Sequence, residues 1–85
     1  MEYVVVAFRS RAHTVSVSKI LRANGISNEI VNTPKEAGVG CGLSLKISPS
    51  QLNLTKKVVY SLSLPSFAGF FWVKNVAGGR IVKTI

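Results

Sequence analysis

The chain has one cysteine, Cys41, set in the run Gly38-Val39-Gly40-Cys41-Gly42. Glycines on both sides of a thiol describe a bare, accessible backbone rather than a packed interior position. A thiol in such a place can act as a nucleophile, carry a sulfur-type atom, or be an inert small apolar residue. The other side chains with chemistry to offer are Arg9, Ser10, Arg11, the single histidine His13, and Lys35.

Absent patterns narrow the choice. Gly38–Gly42 is followed by a strand-like segment and carries no Gly-Lys-Ser/Thr, so it is neither a P-loop nor a dinucleotide fingerprint. One cysteine and one histidine do not make a structural zinc site within one chain, and no metal or cofactor is expected. Glu2, Glu29 and Glu36 suggest no paired-carboxylate chemistry, and there is no Cys-x-x-Cys redox pair.

At 85 residues the chain has room for one core, and a single domain over 1–85 is expected. The composition, 47% hydrophobic and 16% charged, is that of a globular protein. The net charge of +8 predicts attraction to anions. The basic residues are scattered, with only Lys56-Lys57 adjacent, so no basic arm is present. A lone cysteine, a Met1-Glu2-Tyr3 start without a basic n-region, and apolar runs too short to span a bilayer make a reducing cytoplasm, with no membrane partner, the expected setting.

Positioning these residues is the task of the secondary structure. Tyr3 to Phe8 is a continuous apolar, β-branched run, which reads as a central strand buried on both faces. Ser10 offers an N-cap to a helix whose inner side carries Val17, Ile20, Leu21 and Asn24, with Gly25 suited to its end. Glu29 to Thr33 reads as a short strand stopped by Pro34. Leu43 to Ser48 alternates, which predicts a strand with one wet face. Ser48-Pro49-Ser50-Gln51 predicts a capping box for a helix with Leu52, Thr55, Val59 and Leu62 on its inner face. Phe67 to Val76 is an aromatic-rich strand, and Ala77-Gly78-Gly79 turns it into a possible fifth strand, Arg80 to Ile85.

The order β-α-β-β-α-β predicts an α+β, ferredoxin-like two-layer sandwich with strand order 4-1-3-2 and a possible extra C-terminal strand. In that arrangement Arg9-Ser10-Arg11, the Cys41 loop and Pro65-Ser66 share one end of the domain. Cys41 would then lie near a helix N-terminus and two arginines, surroundings that favour thiolate over thiol, and Lys35 and His13 could add to the effect.

Three segments also resemble a known family: Phe8-Arg9-Ser10 before a helix, Asn32-Thr33-Pro34-Lys35-Glu36, and Cys41-Gly42 leading into a strand. Together they are similar to a small bacterial family described as selenium/sulfur carrier protein-like, over roughly residues 3 to 75. The resemblance implies a cytoplasmic protein in which Cys41 is the carrier thiol and Thr33, Pro34 and Gly42 shape its loop; Gly40, beside the thiol, is expected to shape it too. On a carrier reading a sulfurtransferase or cysteine desulfurase is the expected partner, rather than turnover by this chain alone. Lys35 stands where arginine is usual, and Ala37 to Gly40 replaces a stretch usually richer in serine. Two other readings stay open from the residues: a basic nucleic-acid-binding module, disfavoured by the scattered charge, and a small structural or regulatory partner whose last strand pairs in a homodimer.

Overall fold

The computed structural model describes residues 1–39 and 41–85. The elements run β1 (Glu2–Phe8), α1 (Arg11–Ala23), β2 (Glu29–Asn32), a 3-10 turn (Lys35–Ala37), β3 (Leu43–Ile47), a 3-10 turn (Pro49–Gln51), α2 (Leu52–Leu62), β4 (Phe67–Val76) and β5 (Gly79–Thr84). Among the described residues this is a mixed α/β arrangement of two helices and one five-stranded sheet, ordered β2-β3-β1-β4-β5. Every neighbouring pair is antiparallel.

The sheet is built on β1. Val4 to Phe8 are all fully buried, as the apolar run predicts. Alternation sends Val4, Val6 and Phe8 to one face, where they meet Val17 and Leu21 of α1, Val59 of α2, Leu45, Ile47 and Phe70. Val5 and Ala7 point to the other face with Phe71 and Val73. Phe70 and Phe71 of the aromatic strand are thus core residues on opposite faces. Phe67 packs edge-on against Phe8, 5.9 Å between ring centres.

The second face is not left to solvent. The β2–β3 loop folds back across it, and Ala37 and Val39 pack against the Val5–Ala7–Phe71 cluster. This corrects the expectation of a wet face on β3. Ser44 is fully buried, and its hydroxyl lies 2.7 Å from that of Thr33. Lys46 places its ammonium 4.6 Å from the centre of the Tyr3 ring. Alternation reported which residues share a face, but a covering loop decided which face is dry.

Two further expectations change. Ser10 does cap α1, its hydroxyl accepting from the His13 N–H at 3.2 Å. The buried stripe of α1, however, is Thr14, Val17, Ser18 and Leu21, while Ile20 is half-buried and Asn24 exposed. Ser18 can be buried because it donates to the Asn28 amide oxygen at 2.6 Å, and the Asn28 amide donates back to the Ser18 carbonyl at 3.0 Å. At Ser48 the capping box does not form. A 3-10 turn intervenes before α2, and the Ser48 hydroxyl pairs with that of Ser50 at 3.0 Å. Among the described residues, no helix is long and apolar enough to cross a membrane.

Candidate functional site

β1, the β2–β3 loop and the α2–β4 turn meet at one end of the sheet, and backbone hydrogen bonds hold them there. The Arg9 N–H donates to the Ser66 carbonyl at 2.7 Å, and the Cys41 N–H donates to the Phe8 carbonyl at 3.2 Å. His13, one turn into α1, sets Nδ1 2.5 Å from the Ser66 hydroxyl. The segments expected from chain order to share an end therefore do meet there. The physical reason is that β1 and β2 both run toward this end, while β3 and β4 both leave from it.

The thiol itself is half-buried. Its polar contacts are the Thr14 hydroxyl at 3.9 Å and the Leu43 carbonyl at 3.8 Å, to which the S–H donates. Thr14 is fully buried and its hydroxyl donates to the Ser10 carbonyl at 3.0 Å. That carbonyl also accepts from the Thr14 N–H at 3.0 Å, so it stays satisfied if the hydroxyl turns away. The Thr14 hydroxyl is thus free to redirect its proton toward Sγ once the thiol has lost its own.

Among the described residues, none of Arg9, Arg11, His13 and Lys35 hydrogen-bonds Sγ. Arg9 and Lys35 instead line a cavity of about 520 Å³ with Thr33, Pro34, Gly38, Val39 and Gly42. The side chain of Arg11 is exposed. The Thr33 N–H donates to the Gly42 carbonyl at 2.9 Å, and its hydroxyl lies 2.7 Å from that of Ser44. Pro34 begins the 3-10 turn, and Gly42 sits at a φ of 92°, a region that side-chain-bearing residues avoid. Gly40, also expected to shape the loop, lies outside the described residues.

A clip holds the loop down on its far side. Arg80 of β5 grips both carboxylate oxygens of Glu36, with Nε at 3.0 and 3.2 Å and a second nitrogen at 3.0 Å. The Arg80 hydrogen bond, aided by a backbone hydrogen bond, holds the Glu36 carboxyl below its ordinary range. The same pairing raises Arg80.

Sequence reasoning missed Thr14 as a neighbour of the thiol. It lies on the buried stripe of α1 but is polar, so apolar spacing passes over it, and it meets Cys41 only through a contact distant in the chain. The Glu36–Arg80 clip was equally hidden, since it joins a loop to a strand start 44 residues away.

Residues 3–64, well over half of the chain, match the family described as Putative Se/S carrier protein-like. The chain belongs to that family. The match includes β1, α1, the Cys41 loop and α2, and it ends before β4, short of the residue 75 to which the resemblance was expected to reach. Neither the curated proteins nor the solved structures contained a match to this chain.

Proposed function

We propose that this chain carries sulfur or selenium on Cys41, as a persulfide or selenosulfide. The observation that carries the reading is the position of the thiol. Within the family match, the single cysteine is half-exposed on a loop tied by backbone to the end of β1 and set beside the first turn of α1. The order of elements supports a ferredoxin-like scaffold, in which β5 is an addition outside β4.

The transfer needs no external oxidant. The Cys41 thiolate attacks the outer sulfur of a donor persulfide, R–S–S–H. One S–S bond forms, the donor's S–S bond breaks, and the donor leaves as a thiolate with the electron pair. The product Cys41–S–S–H passes its proton to the departing donor thiolate or to water and holds the atom as an anionic persulfide. Attack by an acceptor thiolate on the outer sulfur unloads it, returning Cys41 as the thiolate. The Thr14 hydroxyl donates to the anionic sulfur while the Ser10 carbonyl keeps the Thr14 N–H. Arg9, Arg11 and Lys35 give this end of the domain the positive field that draws an anionic cargo, with His13 beside them at Ser66. The donor is a protein of the sulfurtransferase or cysteine desulfurase kind, acting in the reducing cytoplasm.

The test is incubation with a persulfide donor followed by intact-mass measurement. The reading requires a gain of one sulfur atom on the wild type that is removed by a thiol reductant and absent from Cys41→Ser. An unchanged wild-type mass, or the same gain on Cys41→Ser, overturns it.

A further inference from the structure

We infer that the cavity between Arg9 and Lys35 is a binding site for a small tetrahedral dianion, separate from the thiol. Two cations face a common hollow, and the lining contains no carboxylate. Neither cation makes an ion pair among the described residues, and the Glu36 carboxylate, which feels the charge of neighbouring Lys35, is itself held by Arg80. The three acids of the chain are Glu2, which accepts from the Trp72 indole N–H, Glu29, and Glu36, which is engaged by Arg80. The only ion pair among the described residues is Arg80–Glu36. Two cations that line one hollow without an ion-pair partner repel each other, and an anion between them offsets that repulsion.

The rest of the lining suits a compact oxyanion. Thr33 lines the hollow too, with its hydroxyl paired to that of Ser44. Gly38 and Gly42 adopt positive φ values of 65° and 92°, and a Cβ built on either would meet nothing within 4 Å. Both glycines therefore leave open backbone beside the hollow, where a ligand can approach the main chain closely. Arg9 offers a planar fork and Lys35 a point charge, a pairing that fits the oxygens of a phosphate-like group. About 520 Å³ is in the range of small-molecule sites, whereas a nucleic-acid strand is gripped along an extended basic track. Because the lining does not include Cys41, the site stands whether or not the thiol carries anything.

The probe is inorganic phosphate near neutral pH, followed by amide shifts in two-dimensional NMR with chloride held constant. The amides of Thr33, Gly38, Val39 and Gly42 are expected to shift together and to saturate on one curve. Arg9→Gln and Lys35→Gln each weaken that curve by about tenfold, the worth of one charge-assisted contact. Lys57→Gln, on the exposed side of α2, changes it by less than about twofold. Cys41→Ser binds phosphate as the wild type does, which separates this site from the carrier reading. Absence of saturation at tens of millimolar phosphate overturns the proposal, as does a loss in Lys57→Gln equal to that in Arg9→Gln. A single-stranded oligonucleotide that shifts the same amides and is not displaced by phosphate assigns the patch to nucleic acid instead, and equally overturns it.

Discussion

Thr14 and Thr55 are expected to respond in opposite directions to the same substitution. Both are fully buried, one on the inner face of each helix. Thr14 donates its hydroxyl to the Ser10 carbonyl, whereas the Thr55 hydroxyl has no hydrogen-bond partner among the described residues. Valine keeps the branched shape and a similar helix propensity while removing the hydroxyl. At Thr55 the change relieves an unpaired buried polar atom, and a gain of about 1 kcal/mol is expected. For a domain of this size that is a rise of roughly 4–8 °C in Tm. At Thr14 it removes a made hydrogen bond, a loss of about 1 kcal/mol, kept from growing larger because the Ser10 carbonyl still accepts from the Thr14 N–H. The two variants should therefore differ by about 2 kcal/mol in urea-unfolding free energy with unchanged m-values. Thr14→Val has a second signature that Thr55→Val lacks. Reaction of Cys41 with an aromatic disulfide should slow by roughly two- to fivefold, the worth of up to about 1 kcal/mol at the anionic sulfur. Thr14→Ser restores the rate. Destabilisation by Thr55→Val, or a Thr14→Val protein whose thiol reacts at the wild-type rate, would refute the reasoning.

Other consequences follow from the loop and the sheet. Gly42→Ala places a side chain at a φ of 92° where nothing obstructs the Cβ, so its cost is conformational, about 1–2 kcal/mol, seen as lower Tm and faster amide exchange in residues 33–43. Val6→Ala opens space in the fully buried centre of β1 and should cost about 2–3 kcal/mol by chemical denaturation. The Glu36 carboxyl is held low in the folded protein, so the stabilisation it contributes is present above the unfolded carboxylate range and is lost as pH falls through the folded value. Arg80→Gln should accordingly open the loop at neutral pH and differ little from the wild type once pH lies below that range. Amide exchange of residues 35–37 reads this, and the difference shrinks with added salt because the pair is exposed.

How far the sequence reaches can be seen at particular residues. The unbroken apolar run of β1 announced a strand dry on both sides, and the Ser10 cap and Gly25 bounded α1 correctly. Chain order alone brought Arg9, Cys41 and Ser66 to one end, because strand direction fixes where connections fall. The pattern failed where a polar residue is buried by a partner far along the chain. Ser18 owes its burial to Asn28, and Ser44 to Thr33 and the loop above it. Neither arrangement leaves a periodic trace, since hydrophobic spacing reports apolar faces and not satisfied polar ones. The site shows the same division. Its basic residues were legible by type, but Arg9 and Lys35 line a hollow of their own while the thiol turns to Thr14 and Leu43.

The central claim, that Cys41 carries a sulfur-type atom, is tested most directly by intact mass after exposure to a persulfide donor and removal of excess reagent. The account predicts one added sulfur on the wild type, lost on treatment with a thiol reductant and never gained by Cys41→Ser. A wild-type protein that stays at its starting mass while a small-molecule thiol is persulfurated in the same mixture contradicts it.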